Sequence, residues 1–134
     1  MKLLIVDDNL INQKFLYYSL KKYFEIESVG NGFEAIDLLE KQEFDVVIMD
    51  LSMPVMDGAD ATWQIRESDK FRNKFIPIIF VTTNDYDYER TRCMENGADD
   101  YLIKPVDPEQ LISIINFHLE KKSSFKNKLI PTCI

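Results

Sequence analysis

Cysteine, histidine, tryptophan and glycine are scarce in this 134-residue chain, which holds two, one, one and four of them. Neither Cys93 nor Cys133 stands in a C-x-x-C spacing or in a histidine cluster, so a disulfide framework is excluded and reduced thiols are expected. Long apolar runs are missing as well. None approaches the roughly 20 residues of a membrane-spanning helix, and Leu3-Leu4-Ile5-Val6, followed by two acids, is far short of a signal peptide's apolar region. A cytoplasmic location without membrane association is expected. Positive charge is the last shortage, with 16 Lys and Arg against 23 Asp and Glu and a net charge of −7. A surface that neutralises nucleic-acid phosphates needs a basic face, so no nucleic-acid partner is expected. The charge is uneven: Lys121, Lys122, Lys126 and Lys128 give the end of the chain +4. The first 120 residues set 12 cations against all 23 acids, or −11.

What is present suits one folded domain. At 46% apolar and 29% charged, the chain can bury a core. Short apolar runs at 3–6, 25–29, 45–49, 76–81 and 101–103 read as five strands. Several are apolar at successive positions, the pattern of a parallel sheet covered on both faces. Between them lie helical periodicities: Ile11, Phe15, Leu16, Leu20 and Phe24 after Asn9 as N-cap, then Phe33, Ile36 and Leu39, and finally Leu111, Ile114, Ile115 and Leu119. Gly32 and Gly58 stand at helix starts, and Gly97 is placed as a C-cap. The order is (βα)5, an α/β doubly wound fold whose site lies beyond the carboxyl ends of the strands. Residues 1–122 are read as the domain. Residues 123–134 read as a basic tail outside the pattern, with Pro131 a helix breaker.

The strand ends then bring together Asp7, Asp8, Asp50, Thr82 and Lys104. Three converging carboxylates repel one another, and a hard divalent cation such as Mg²⁺ relieves that repulsion. Lys104 suits a phosphoryl oxygen or a carboxylate, and the Thr82 hydroxyl can donate to a developing anion. Metal, lysine and hydroxyl around an aspartate make a phosphoryl-transfer set with Asp50 as nucleophile.

The segments Val6-Asp7-Asp8-Asn9, Met49-Asp50-Leu51-Ser52-Met53-Pro54-Val55-Met56-Asp57-Gly58, Pro77-Ile78-Ile79-Phe80-Val81-Thr82 and Gly97-Ala98-Asp99-Asp100-Tyr101-Leu102-Ile103-Lys104-Pro105 resemble the receiver domain of two-component response regulators. The resemblance covers residues 1 to about 120. It implies a flavodoxin-like sheet of order 2-1-3-4-5 and assigns Asp50 as phosphoacceptor. Asp8 and Asp50 become metal ligands with the Ser52 main-chain carbonyl, Asp7 acts largely through metal-bound water, and the ion is Mg²⁺ with Mn²⁺ as an alternative. Thr82 and Lys104 become the phosphoryl-binding pair, Tyr101 the switch aromatic, and Lys104-Pro105 a cis bond. The stretch Asn9-Leu10-Ile11-Asn12-Gln13 is similar to receivers of hybrid kinases and phosphorelays.

By the same resemblance the donor is a sensor histidine kinase or a histidine phosphotransfer protein, docking near Ile11 and Phe15. A downstream protein reads the face of residues 85–120, and the chain is a monomer or weak dimer. It catalyses only its own phosphorylation and dephosphorylation. Thr83 departs from the Ala or Gly usual after the hydroxyl residue and is expected to slow access to the pocket, which Ser52, Asn84 and Pro105 also flank. Rival readings are a haloacid-dehalogenase-like phosphatase, which would want an acid where Ser52 stands, and a phosphorylation-independent pseudo-receiver. A flavin carrier is disfavoured because Asp7 and Asp8 would repel the flavin phosphate. Met53, Met56, Phe80 and Trp63 are expected to pack in the core or loops, Cys93 to be a small buried hydrophobe, and His118 a surface or packing residue.

Overall fold

A computed structural model describes residues 1–71 and 74–129. Five strands, β1 (Lys2–Val6), β2 (Glu25–Val29), β3 (Val46–Met49), β4 (Ile78–Thr82) and β5 (Asp100–Ile103), alternate with five helices, α1 (Leu10–Leu20), α2 (Gly32–Lys41), α3 (Gly58–Glu67), α4 (Asp87–Glu95) and α5 (Pro108–Leu129). The strands form one parallel sheet in the order β2-β1-β3-β4-β5.

The apolar runs explain the layering. Side chains alternate across a strand, so Leu4, Val6, Val47, Met49, Ile78 and Phe80 face one way and meet Ala35 and Leu39 of α2, Ala59, Ala61 and Ile65 of α3, and Cys93 of α4. Leu3, Ile5, Val46, Ile48, Ile79 and Val81 face the other way onto Leu16 and Leu20 of α1 and Leu111, Ile115 and Leu119 of α5. Strands β1, β3 and β4 are buried on both faces, whereas β2, at the edge, is partly open. Burial pushes the Cys93 thiol up to about 12, which makes it an inert packing group.

Local signals place the helix ends. The Asn9 side chain accepts from Ile11 N and Asn12 N, Asn31 from Glu34 N, and Asp57 from Asp60 N, capping α1, α2 and α3. Gly97, two residues beyond α4, has a φ of 112°, a backbone conformation that suits glycine.

Two expectations change, the end of α5 and the burial of several apolar helix residues, and that for His118 is narrowed. Helix α5 does not stop near residue 122 but continues to Leu129; its lysines are good helix formers and no breaker precedes Pro131. Residues 130–134, with Pro131 and Cys133, lie outside the described residues. Ile11, Phe15 and Phe33 belong to no buried stripe and are exposed, and so is Trp63. Each sits on a short helix whose sheet-facing positions are already filled by Leu16 and Leu20, by Ala35 and Leu39, or by Ala61 and Ile65. His118 is a packing residue: it is buried, with Nε2 3.0 Å from Asp100 Oδ2.

Candidate phosphoryl and metal site

At the carboxyl end of the sheet, main-chain bonds continue past the strands and align the loops. Asp7 N donates to Val29 O (3.1 Å), Asp50 N to Val6 O (2.9 Å) and Lys104 N to Thr82 O (2.8 Å). Three loops that lie far apart in the chain are thus fixed side by side. Asp7, Asp8 and Asp50 each bring one carboxylate oxygen to within 4.8 Å of the others. Asp7 and Asp50 are buried and Asp8 is exposed, so the cluster has two buried walls and one open side.

Lys104 supplies the counter-charge. Its Nζ lies 3.0 Å from Asp7 Oδ2 and 3.6 Å from Asp50 Oδ2, and its side chain is 14% exposed. Burial pushes the Asp50 carboxyl above its ordinary range. Lys104 opposes this, Asp7 reinforces it, and the Thr82 hydroxyl and Leu51 amide also oppose it. Thr82 ends β4 fully buried, and its Oγ1 accepts from Asn84 N at 3.3 Å. Thr83 and Ser52 are exposed, Asn84 is half-buried, and Lys104-Pro105 is cis.

Tyr101 is turned inward. It is 4% exposed, its hydroxyl donates to Asn84 O at 2.6 Å, and its ring stacks on Phe80. Arg90 covers it, with the guanidinium carbon 5.2 Å from the ring centroid and Nη2 3.2 Å from Tyr101 O. All five strand-end residues expected from the sequence are brought to one place, and Tyr101 is joined to that place through the Thr82–Asn84 loop.

Two supports of the site are missing from the sequence reading. Gln13 Nε2 donates to both Asp7 O (2.5 Å) and Val29 O (3.2 Å), fastening α1 to the loop that carries Asp7. Its position one turn after the Asn9 cap, on the face that returns toward that loop, was the available signal. Gly58, expected only as a helix start, also lies directly beneath Asp50. Its N–H donates to Leu51 O (2.9 Å), and a Cβ there would stand 2.2 Å from Asp50 O.

A family model described as the response regulator receiver domain matches residues 3–116. The chain belongs to this family. Hybrid signal transduction histidine kinase K of Dictyostelium discoideum is 36% identical over 128 residues, 91% of this chain but 11% of that protein. The sensor protein GacS of Pseudomonas syringae pv. syringae is 34% identical over 116 residues, 85% of this chain and 13% of that protein. The chain therefore spans only a small part of these kinases. Among solved structures, the receiver domain of sensor histidine kinase PA1611 from Pseudomonas aeruginosa PAO1 is 32% identical, with a TM-score of 0.80 over 89% of this chain and 97% of that one. That structure holds a magnesium ion coordinated in its active-site cleft. A CheY-like receiver from Methanospirillum hungatei JF-1, 23% identical with a TM-score of 0.84 over 92% of this chain and 96% of that one, shares the fold.

The carboxylate cluster of this receiver fits a divalent cation chemically, since it offers three hard oxygen donors and an open side through which water can complete the coordination. No helix among the described residues is long and apolar enough to cross a membrane.

Proposed function

We propose that this receiver takes a phosphoryl group from a phosphohistidine donor onto Asp50 and changes conformation to signal to a partner protein. The observation that carries the reading is the joint reach of Lys104 to Asp7 and Asp50 beside a buried Thr82 hydroxyl. Four parts of a phosphoryl-transfer site are then supplied from the ends of four strands.

In the reaction an Asp50 carboxylate oxygen forms a bond to phosphorus while the N–P bond of the donor breaks, and a proton restores the leaving imidazole. Lys104 and the Thr82 hydroxyl neutralise charge on the phosphoryl oxygens. Asp7, Asp8, Asp50 and the Ser52 carbonyl would hold Mg²⁺, or Mn²⁺ in its place, which when bound supplies further charge neutralisation at those oxygens. Water attack on phosphorus later releases phosphate and regenerates Asp50. Movement of Thr82 toward the phosphoryl group frees the space in which Tyr101 sits, biasing a two-state equilibrium of the β4–α4 loop.

The donor is a histidine kinase or a histidine phosphotransfer protein, in keeping with the histidine kinases that the chain resembles. Exposed Leu10, Ile11 and Phe15 on α1 offer it an apolar surface beside Asp8. The downstream partner reads the face of residues 85–120, where Tyr86, Tyr88, Met94 and Phe117 are exposed. The receiver unit proposed is residues 1–122, beyond which α5 continues to Leu129.

Incubation with Mg²⁺ and acetyl phosphate followed by intact-mass measurement is expected to give one phosphoryl adduct on wild type and none on Asp50→Ala. An undiminished adduct on the variant would sink the assignment. In the same assay Thr83→Ala, which removes an exposed β-branched side chain next to Thr82, is expected to lose its phosphoryl group faster than wild type. Equal lifetimes would remove Thr83 from the access path.

A further inference from the structure

The loop that carries Asp50, residues 50–57, is held from a direction that the chemistry does not require. Its last residue, Asp57, uses its two carboxylate oxygens for different tasks. Oδ1 accepts from Asp60 N at 2.9 Å and caps α3, while Oδ2 lies 2.7 Å from Arg92 Nη2 on α4. Arg92 is further surrounded by Asp60 Oδ1 at 3.5 Å and Glu89 Oε2 at 3.3 Å. Three carboxylates, Asp57 of the loop, Asp60 of α3 and Glu89 of α4, thus converge on one guanidinium. Gly58, the residue after Asp57, is packed against the Asp50 main chain, so a displacement of Asp57 is passed to Asp50 through that single residue. Helix α4 is otherwise attached to α3 by Asn96 Nδ2 donating to Ala59 O at 2.9 Å, and to Tyr101 by Arg90.

We propose that Arg92 is a positioning residue for Asp50, tethering the phosphoacceptor loop to α4 through Asp57. A guanidinium suits this work because its planar fork engages several carboxylates at once in a fixed geometry, which an ammonium group does not. The tether sets the loop from the same helix that covers Tyr101 with Arg90. Its importance for phosphorylation, though not its existence, rests on the function proposed for Asp50.

The test is amide hydrogen exchange on the full, unphosphorylated chain, followed by acetyl phosphate labelling with Mg²⁺. In Arg92→Gln the amides of residues 51–58 are expected to exchange about two- to fivefold faster, the effect of losing a partly exposed charge pair. The maximal labelling rate falls, and the acetyl phosphate concentration for half-maximal rate stays unchanged, because Arg92 does not touch the donor. Asp57→Asn keeps an oxygen for the α3 cap and loses the charge, so it should reproduce both effects. The double variant should add little to either single one, and Arg92→Lys should recover part of the protection. Unchanged exchange of 51–58 in Arg92→Gln, or effects of the two single variants that multiply, would overturn the tether. Faster exchange together with no adduct on wild type would leave the tether standing and overturn the function proposed for Asp50.

Discussion

Lys104→Met is expected to slow the uptake of a phosphoryl group from acetyl phosphate by about a hundredfold, the size of effect seen when one charge-stabilising donor is removed from a reaction centre. Nζ of Lys104 is 3.0 Å from Asp7 and 3.6 Å from Asp50 in a largely enclosed setting. Among the described residues no other lysine or arginine pairs with either carboxylate. Methionine preserves most of the length and apolar stem, so the loss is mainly one of charge. The same change moves the pH dependence in a determinable direction. Burial already raises the Asp50 carboxyl and Lys104 opposes that rise; without Lys104 the carboxyl rises further. The acid limb of the labelling rate should therefore move to higher pH in Lys104→Met, since in the proposed reaction only the carboxylate attacks phosphorus. An acid limb that stays in place or moves down would contradict the electrostatic account.

Stability follows from the same sign. A carboxyl raised above its unfolded value binds its proton more readily in the folded state, so its contribution to stability falls as pH rises through the window above the ordinary carboxylate value of 3.8. Keeping Asp50 charged thus carries a cost in the folded chain, first from its burial and then from the neighbouring Asp7. Addition of Mg²⁺ should relieve it and raise the melting temperature of wild type more than that of Asp50→Asn.

The parts of this architecture that were readable from residue order are those governed by short-range rules. Unbroken apolar runs such as Ile78-Ile79-Phe80-Val81 can only be satisfied between two helical layers, and they mark both the strands and their parallel pairing. Asp7, Asp8, Asp50, Thr82 and Lys104 were legible because each directly follows or ends such a run, and parallel strands bring their carboxyl ends to one side. The strand order required the family resemblance, since periodicity is the same for any order. Exposed Phe15, Phe33 and Trp63 were misplaced for a related reason: an apolar residue on a helix is read as core by its type, whereas the sheet has room for only one face. The extension of α5 through Lys126 and Lys128 has the reverse origin, because a lysine-rich segment carries no regular apolar stripe in its sequence. Gln13, Arg92 and the seat under Asp50 were illegible because their partners, Val29, Asp57 and Asp50, are fixed only once the loops have come together.

That seat makes Gly58→Ala a disruptive single methyl, with an expected loss of about 3 kcal/mol of stability, at the upper end of what overpacking costs. The added Cβ would meet Asp50 O at 2.2 Å, Phe80 Cε2 at 2.8 Å and Met49 Cγ at 2.9 Å. Met49 Cγ can give way, but Asp50 O is main chain held in register by Asp50 N bonding to Val6 O, and the Phe80 ring is locked in the core against Tyr101. The helix start cannot retreat either, because Gly58 N donates to Leu51 O and Asp57 is engaged by both the α3 cap and Arg92. The strain must then be taken up by the β3–α3 loop, where Val55 already holds a φ of 70°, unfavourable for a β-branched residue. Displacing that loop moves the Asp50 carboxylate away from Lys104, so the variant should lose phosphoryl labelling as well as stability. Gly30→Ala is the matched control, since its Cβ would meet only the end of the Glu34 side chain at 3.9 Å. Chemical denaturation of both variants checks the argument: a large drop in midpoint for Gly58→Ala with little change for Gly30→Ala is expected, and equal midpoints would show that the contact with Asp50 is not rigid.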